Sequence, residues 1–167
     1  ILVHASRFGF FEKPPIIISA RDIKYDAKAK GTQSVEDMIT EKIGDKIQLI
    51  LKKMKKMGPD RVAIDSISSL SFEDGLIARK IIRQIFDGLE NQGITALITS
   101  ESSKDDHCFS RDTVSEFLAD GLITLNIMHS GMEVTRTMVI RKMRDTHHPL
   151  ETLNLDITDK GMVVYSI

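Results

Sequence analysis

The fold of this chain is decided by the stretch Arg61-Val62-Ala63-Ile64-Asp65-Ser66. Its apolar middle is typical of a buried strand, and the Gly58-Pro59 pair just before it is typical of a helix end. The strand ends in a carboxylate, and in an open α/β sheet the carboxyl end of a strand lies at the edge where ligands bind. The stretch therefore predicts a buried strand that carries Asp65 at the edge of a parallel sheet.

Helical patterns stand on both sides of this strand. Before it, apolar residues recur at steps of three and four and predict a long amphipathic helix; they are Ile39, Ile43, Ile47, Ile50, Met54 and Met57. After it we expect a helix from about Gly75 to Asn91 and an apolar strand from Ile94 to Thr99, while Ile16 to Ile18 predicts a strand ahead of the first helix. Strand and helix in alternation imply an α/β fold with a parallel sheet covered by helices.

The last third of the chain changes character. It holds short strand-like runs joined by turn residues, which predict an antiparallel extension of the sheet. The runs are Leu122 to Ile127, Val134 to Ile140, Leu153 to Ile157 and Met162 to Tyr165.

Composition predicts a single domain. The chain has 167 residues, of which 41% are hydrophobic and 28% charged, as in one soluble globular domain. Cys108 is the one cysteine and no apolar run approaches the ~20 residues of a membrane span, so we expect a cytoplasmic protein. A net charge of -1 argues against a surface dominated by phosphate contacts with nucleic acid.

Asp65 has two interpretations when its strand is taken alone. A carboxylate at the end of a strand can hold the water shell of a magnesium ion, as in the second nucleotide-binding motif of P-loop ATPases. Many such carboxylates instead cap the following turn, and the isolated stretch favours this structural role.

Five stretches stand in a fixed order: SRFGF at 6–10, GPDRVAIDS at 58–66, ITALITSE at 94–101, EFLADG at 116–121, and RTMVIRKMR at 136–144 with ITDKG at 157–161. In order and spacing they resemble KaiC and the KaiC-like ATPases of the RecA superfamily, over nearly the whole chain. The resemblance implies a RecA-like, mostly parallel sheet flanked by helices, in one ATPase core that spans residues 1–167 and ends in an antiparallel extension.

The resemblance also implies a nucleotide site. In it Asp65 binds magnesium through water, Ser66 shapes the turn beneath, and Ser100 senses the γ-phosphate of ATP. From the residues alone, Thr99, Ser100 and Glu101 are equally well explained as the beginning of a loop.

Lys142-Met143-Arg144 matches a Lys-Met-Arg motif of the resembled family, whose two cations reach nucleotide held by a neighbouring subunit. Residues two apart on a strand point the same way, so we expect Lys142 and Arg144 to share a face while Met143 points back to the core. A solvated edge strand with basic residues is the alternative. The glycine usual after the Arg is Asp145 here.

No G-x-x-x-x-G-K-[ST] phosphate-binding loop occurs in the chain, and the paired glutamates that supply the family's catalytic base do not occur either. The family places both motifs before the point that corresponds to Ile1, so we expect them in preceding sequence.

Three functions are compatible with these patterns. The first is an ATP-binding and ATP-hydrolysing protein that uses magnesium and assembles with itself as a ring, with nucleotide at the protomer interfaces and with regulatory protein partners. The second is a non-catalytic RecA-like assembly or regulatory module. A recombinase-like DNA-binding protein is the third, and the near-neutral charge and few aromatic residues make it less attractive.

Overall fold

The structure of the chain, a computed structural model, describes residues 35–70, 75–102 and 108–166. Contacts between Cα atoms divide it into two compact units, here called the α/β unit (Ile18–Ala119) and the antiparallel unit (Ile1–Ile17 with Asp120–Ile167). The predicted strand at 16–18 and the SRFGF stretch lie outside the described residues.

The α/β unit alternates helices and strands, which confirms the pattern predicted for this part of the chain. Its elements are α1 (Val35–Met57), β1 (Arg61–Ile64), a 3-10 helix (Ile67–Leu70), α2 (Gly75–Glu90), β2 (Thr95–Ile98) and α3 (Ser115–Leu118). The 3-10 helix was not predicted from the sequence, because a single short turn carries no periodicity.

β1 and β2 form a two-stranded parallel sheet, in register from Arg61 opposite Thr95 to Ile64 opposite Ile98. The pairing continues past the strands, since the backbone N–H of Thr99 donates to the Ile64 carbonyl at 3.0 Å and that of Ile67 donates to the Thr99 carbonyl at 3.0 Å. Both strands therefore end at the same edge of the sheet.

The core of the α/β unit lies where α1 and α2 pack together on one face of this sheet. Its buried apolar residues are Ile47, Leu51, Met54, Ile67, Ile81, Ile82, Ile85, Leu89 and Val114. The predicted stripe of α1 is only partly the buried face, because Leu51 is buried while Met57 is 38% exposed. Met57 is the last residue of the helix.

Gly88 marks the closest approach of the two helices. A Cβ atom at Gly88 would lie 2.3 Å from Cδ1 of the buried Leu51, whereas one at Gly44 would meet Gln84 Oε1 at an ordinary 3.5 Å. Gly88→Ala is therefore expected to lower the free energy of unfolding by about 1–2 kcal/mol, since overpacking outweighs the gain in helix propensity. The measurement is urea denaturation followed by circular dichroism.

Gly44→Ala is the matched control for this prediction. The same substitution in a helix with room for the methyl group should raise the free energy of unfolding by about 0.5–1 kcal/mol. Effects of the same sign in both variants would contradict the close packing of Gly88 on Leu51.

The antiparallel unit is a four-stranded sheet in which consecutive strands pair, in the order β3-β4-β5-β6. The strands are β3 (Gly121–Ser130), β4 (Glu133–Met143), β5 (Leu153–Thr158) and β6 (Gly161–Ser166). The four predicted runs are thus confirmed as antiparallel strands. Among the described residues they form a sheet separate from the two-stranded parallel sheet, rather than added strands of one sheet.

Burial is uneven across this antiparallel sheet. Thr137, Val139 and Leu155 are buried. On β3, alternate apolar side chains point outward, and Leu125 and Ile127 are 60% and 64% exposed. A band of apolar surface therefore follows β3.

Candidate functional site

The shared end of β1 and β2 brings two polar side chains together. Asp65 directly follows β1 and Thr99 directly follows β2, and the Thr99 hydroxyl donates to Asp65 Oδ1 at 2.6 Å. Both residues are exposed, and the peptide bond from Asp65 to Ser66 is cis. The Thr99 hydroxyl orients an accessible carboxylate at the carboxyl edge of the parallel sheet.

A second polar group lies beside the first and involves Ser68, on the 3-10 helix. Ser68 is only 5% exposed, and its Oγ accepts the backbone N–H of Glu101 at 2.7 Å and lies 3.2 Å from Ser100 Oγ. Ser100 was a predicted site residue, whereas Ser68 was not, because a hydroxyl in a single short turn carries no periodic pattern.

Two buried carboxylates organise the segment 108–118. Asp112 Oδ1 accepts the backbone N–H groups of Val114 at 2.8 Å and Ser115 at 2.6 Å, and Oδ2 accepts the Ser115 hydroxyl at 2.9 Å. Glu116 Oε2 accepts the backbone N–H groups of Phe109 and Ser110 at 2.7 and 2.9 Å. Charge-assisted bonds of this kind hold the segment in one conformation.

This organised segment reaches the strand edge through two contacts. Asp112 Oδ2 lies 3.5 Å from Ser100 Oγ, and Arg111 forms an ion pair with Glu101, with Nη1 and Oε2 2.7 Å apart. No sequence pattern predicted the role of Asp112 or of Glu116. Buried carboxylates that accept backbone N–H groups leave no periodic pattern in the sequence.

The predicted cation pair lies in the antiparallel unit. Lys142 is on β4, but the strand ends at Met143, so Arg144 stands beyond it. The pairing register also shifts between Leu122 and Ile123, which leaves Arg141 as an extra residue in β4. The extra residue precedes Lys142, and the backbone N–H of Arg144 still donates to the Asp120 carbonyl at 2.8 Å, so the shared face of Lys142 and Arg144 stays a prediction.

Lys142 and Arg144 nevertheless lie near each other. Burial lowers the pKa of Lys142, the positive charge of Arg144 lowers that pKa further, and the carboxylate of Asp120 partly opposes both effects. Arg144 Nη1 is 2.8 Å from Asp120 Oδ1, and its backbone N–H donates to the Asp120 carbonyl at 2.8 Å. An anion placed between the two cations would favour the charged form of Lys142.

The backbone conformation at Asp145 shows why glycine suits the position after Arg144. Its φ is 55°, in the left-handed region where a glycine meets no steric penalty and Asp is tolerated better than most residues. The departure from the resembled pattern is thus compatible with the turn that follows β4.

The structure brings Asp65, Ser66, Thr99 and Ser100 to one edge in the α/β unit, and Lys142 and Arg144 together in the antiparallel unit. Asp65 fits a magnesium ion held through water, because Mg²⁺ prefers oxygen ligands, keeps several waters and uses one or two carboxylates. Among the described residues, no three His, Cys, Asp or Glu side chains are grouped so as to hold a metal directly.

The fold and this edge define an α/β protein with polar side chains beyond the carboxyl ends of parallel strands, where such proteins bind their ligands. A family model described as "ATPase: KaiC" matches residues 18–167. The chain belongs to this KaiC family of ATPases, and its resemblance to KaiC-like proteins is thereby confirmed.

Similar proteins agree with the family match. A UPF0273 protein of Aeropyrum pernix is 33% identical over 125 residues, which are 75% of this chain and 50% of the relative. One from Pyrococcus furiosus is 32% identical over 119 residues, 71% of this chain and 48% of the relative. The chain thus spans about half the length of the curated relatives it matches.

A solved structure also agrees with the family match. The crystal structure of a KaiC-like protein from the hyperthermophilic archaeon Pyrococcus horikoshii has a TM-score of 0.65 and 30% sequence identity, and the match covers 74% of this chain and 57% of the other. Among the described residues of this chain, no helix is long and apolar enough to cross a membrane.

Proposed function

We propose that this chain is part of a cytoplasmic ATPase with a RecA-like core, which binds ATP with magnesium and hydrolyses it at the interfaces of a homo-oligomeric ring. The observation that carries the proposal is the Asp65 carboxylate held by the Thr99 hydroxyl, with Oγ1 and Oδ1 2.6 Å apart, in a chain of the KaiC family. An exposed carboxylate next to hydroxyl groups at this edge has the chemistry that a magnesium-bound triphosphate needs.

Each residue of the edge has a proposed role. Asp65 holds the water shell of Mg²⁺, and Ser66 supports the turn under it. Ser100, on an exposed position one residue further than Thr99, donates its hydroxyl hydrogen to an oxygen of the γ-phosphate. When bound, the magnesium ion neutralises charge on the phosphate oxygens.

Lys142 and Arg144 are proposed to act on the nucleotide of a neighbouring subunit. Burial and, after it, the positive charge of Arg144 lower the pKa of Lys142, and this supports a site that favours an anion. The exposed apolar band on β3, with Leu125 and Ile127, supports an interface between copies of the chain. In this arrangement two cations stabilise charge on the transferring phosphoryl group.

The phosphate cradle and the catalytic base are proposed to come from sequence outside this chain. β1 and β2 present an incomplete sheet, since Leu97 on the face away from the core is 69% exposed, whereas parallel sheets usually bury both faces. This exposure supports further elements that cover this face of the sheet.

The test is binding and turnover in the full-length protein. We expect calorimetry to show ATP binding that weakens when magnesium is removed by EDTA, steady release of phosphate, and a mass in solution that is a multiple of the protomer mass. Assembly without ATP binding would instead favour the non-catalytic module, and binding to single-stranded DNA that weakens with salt would favour the recombinase-like alternative.

A further inference from the structure

We propose that Ser68 is a positioning residue that aims the hydroxyl of Ser100. This inference rests on the proposed function, in which Ser100 donates to the γ-phosphate. Ser68 lies outside the five stretches that carry the family resemblance. Its role follows from an ordered chain of hydrogen bonds from Glu101 through Ser68 to Ser100.

Ser68 is fixed in place on two sides. It is 5% exposed and follows Ile67, which is 1% exposed in the core. The backbone N–H of Ile67 donates to the carbonyl of Thr99 at 3.0 Å, so the 3-10 helix is attached to the end of β2. Ser68 therefore stands at a constant place beside the backbone that carries Ser100.

The first of these hydrogen bonds has a direction fixed by its donor, and the direction of the second, between the two hydroxyls, is part of the proposal. A backbone N–H can only donate, so Ser68 Oγ accepts from Glu101 at 2.7 Å and keeps its own hydrogen for another acceptor. Ser100 Oγ lies 3.2 Å away, and a bond donated by Ser68 to this oxygen turns the Ser100 hydrogen elsewhere.

The other hydrogen-bond acceptors around Ser100 lie at long distances from its hydroxyl. The carbonyl of Glu101 is 3.2 Å from Ser100 Oγ and Asp112 Oδ2 is 3.5 Å from it, both longer than usual for a hydroxyl donor. A phosphate oxygen within hydrogen-bond reach is a stronger, charged acceptor and takes over this hydrogen. Ser68 thus supplies the donated bond that leaves Ser100 ready to donate to phosphate.

The experiment compares triphosphate with diphosphate binding in the full-length protein. The probes are ADP with magnesium and a non-hydrolysable ATP analogue with magnesium, and the quantity is the ratio of their dissociation constants by calorimetry. In Ser68→Ala we expect the preference for the triphosphate over ADP to fall about 10-fold, because one hydrogen bond to a charged acceptor is misdirected. The affinity for ADP should stay within about twofold of wild type.

Ser115→Ala is the matched control. Ser115 is 8% exposed and its hydroxyl donates to Asp112 Oδ2 at 2.9 Å. Its loss perturbs a buried hydrogen bond to the same oxygen that lies 3.5 Å from Ser100 Oγ, but it leaves the bond between Ser68 and Ser100 in place. This variant should lose thermal stability to a similar degree as Ser68→Ala and keep the wild-type ratio. An equal fall of the ratio in both variants would mean general loosening and would overturn the proposal.

Coupling to Ser100 separates positioning from a structural role. If Ser68 acts through Ser100, then Ser100→Ala lowers the ratio by itself, and adding Ser68→Ala to it changes the ratio no further. Additive losses in the double variant overturn the proposal, as does a wild-type ratio in either single variant. A wild-type protein that binds neither nucleotide overturns this inference and the proposed function together, whereas wild-type binding with an unchanged Ser68→Ala overturns the inference alone.

Discussion

Asp65→Asn is expected to reduce magnesium-dependent ATP turnover about 100-fold, the upper end of what replacing an outer-shell metal partner costs. Asn has the same size and keeps an oxygen that can accept the Thr99 hydroxyl, now bound at 2.6 Å, so the local hydrogen bond survives. What is lost is the negative charge that attracts the water shell of the metal. The measurement is the rate of phosphate release at increasing magnesium concentration. In Asp65→Asn the rate should fall, and more magnesium should be needed to reach it.

Asp60→Asn is the control for Asp65→Asn. Asp60 is exposed and lies at the opposite end of the same strand, where its backbone carbonyl accepts the N–H of Thr95 at 3.1 Å. The substitution removes the same charge from the same strand but leaves the edge untouched, so turnover should stay within about twofold of wild type. Equal losses in the two variants, or full activity in Asp65→Asn, would contradict a magnesium role for Asp65.

The edge that carries Asp65 could be predicted because two strong patterns meet there. One apolar run ends in a carboxylate, a second ends in hydroxyls, and a helical pattern precedes each of them. Strands that alternate with helices in this way are expected to run parallel. The register of β1 with β2 then brings Asp65 to Thr99. The placement of Asp65, Thr99 and Ser100 at one edge of the sheet can therefore be predicted from the sequence.

Ser68, Asp112 and Glu116 could not be predicted in the same way. All three are polar, and polar residues between regular elements are normally solvated. Their burial follows from backbone N–H groups that need acceptors, such as those of Glu101, Ser115 and Ser110. Which N–H groups lack a partner is known only once the chain has turned, so three-dimensional structure is needed to find their acceptors.

The Lys142–Arg144 pair illustrates a third situation. The sequence identifies the two residues as a candidate pair, but it does so through alternation along a strand. The extra residue in β4, Arg141, precedes both residues, and the strand ends at Met143, so the shared face stays a prediction. What the structure adds is the contact of Arg144 with Asp120 through side chain and backbone.

The largest effect is expected from replacing this pair. The Lys142→Ala, Arg144→Ala double variant should lose about 10³-fold in ATP turnover, the lower end of what a trans-acting arginine contributes to phosphoryl transfer. Nucleotide affinity should change much less, since the subunit's own Asp65 edge is intact. Arg136→Ala is the control, because Arg136 is an exposed arginine on the same strand and its loss should leave turnover unchanged.

Action across a subunit boundary is tested by mixing two inactive proteins. Rings are co-assembled from equal amounts of the Asp65→Asn variant and of the Lys142→Ala, Arg144→Ala variant. An interface in such a ring is native when an Asp65→Asn subunit supplies its Lys142 and Arg144 to the nucleotide of a neighbour that keeps Asp65. Random assembly gives such an interface with a probability of one half times one half, so about a quarter of wild-type turnover should return. A chain that carries all three substitutions, mixed with Asp65→Asn, has no intact Asp65 and should recover nothing. Mixed rings that stay inactive would show that the cations serve the nucleotide of their own subunit, since only a cation pair that reaches the neighbour can restore an interface.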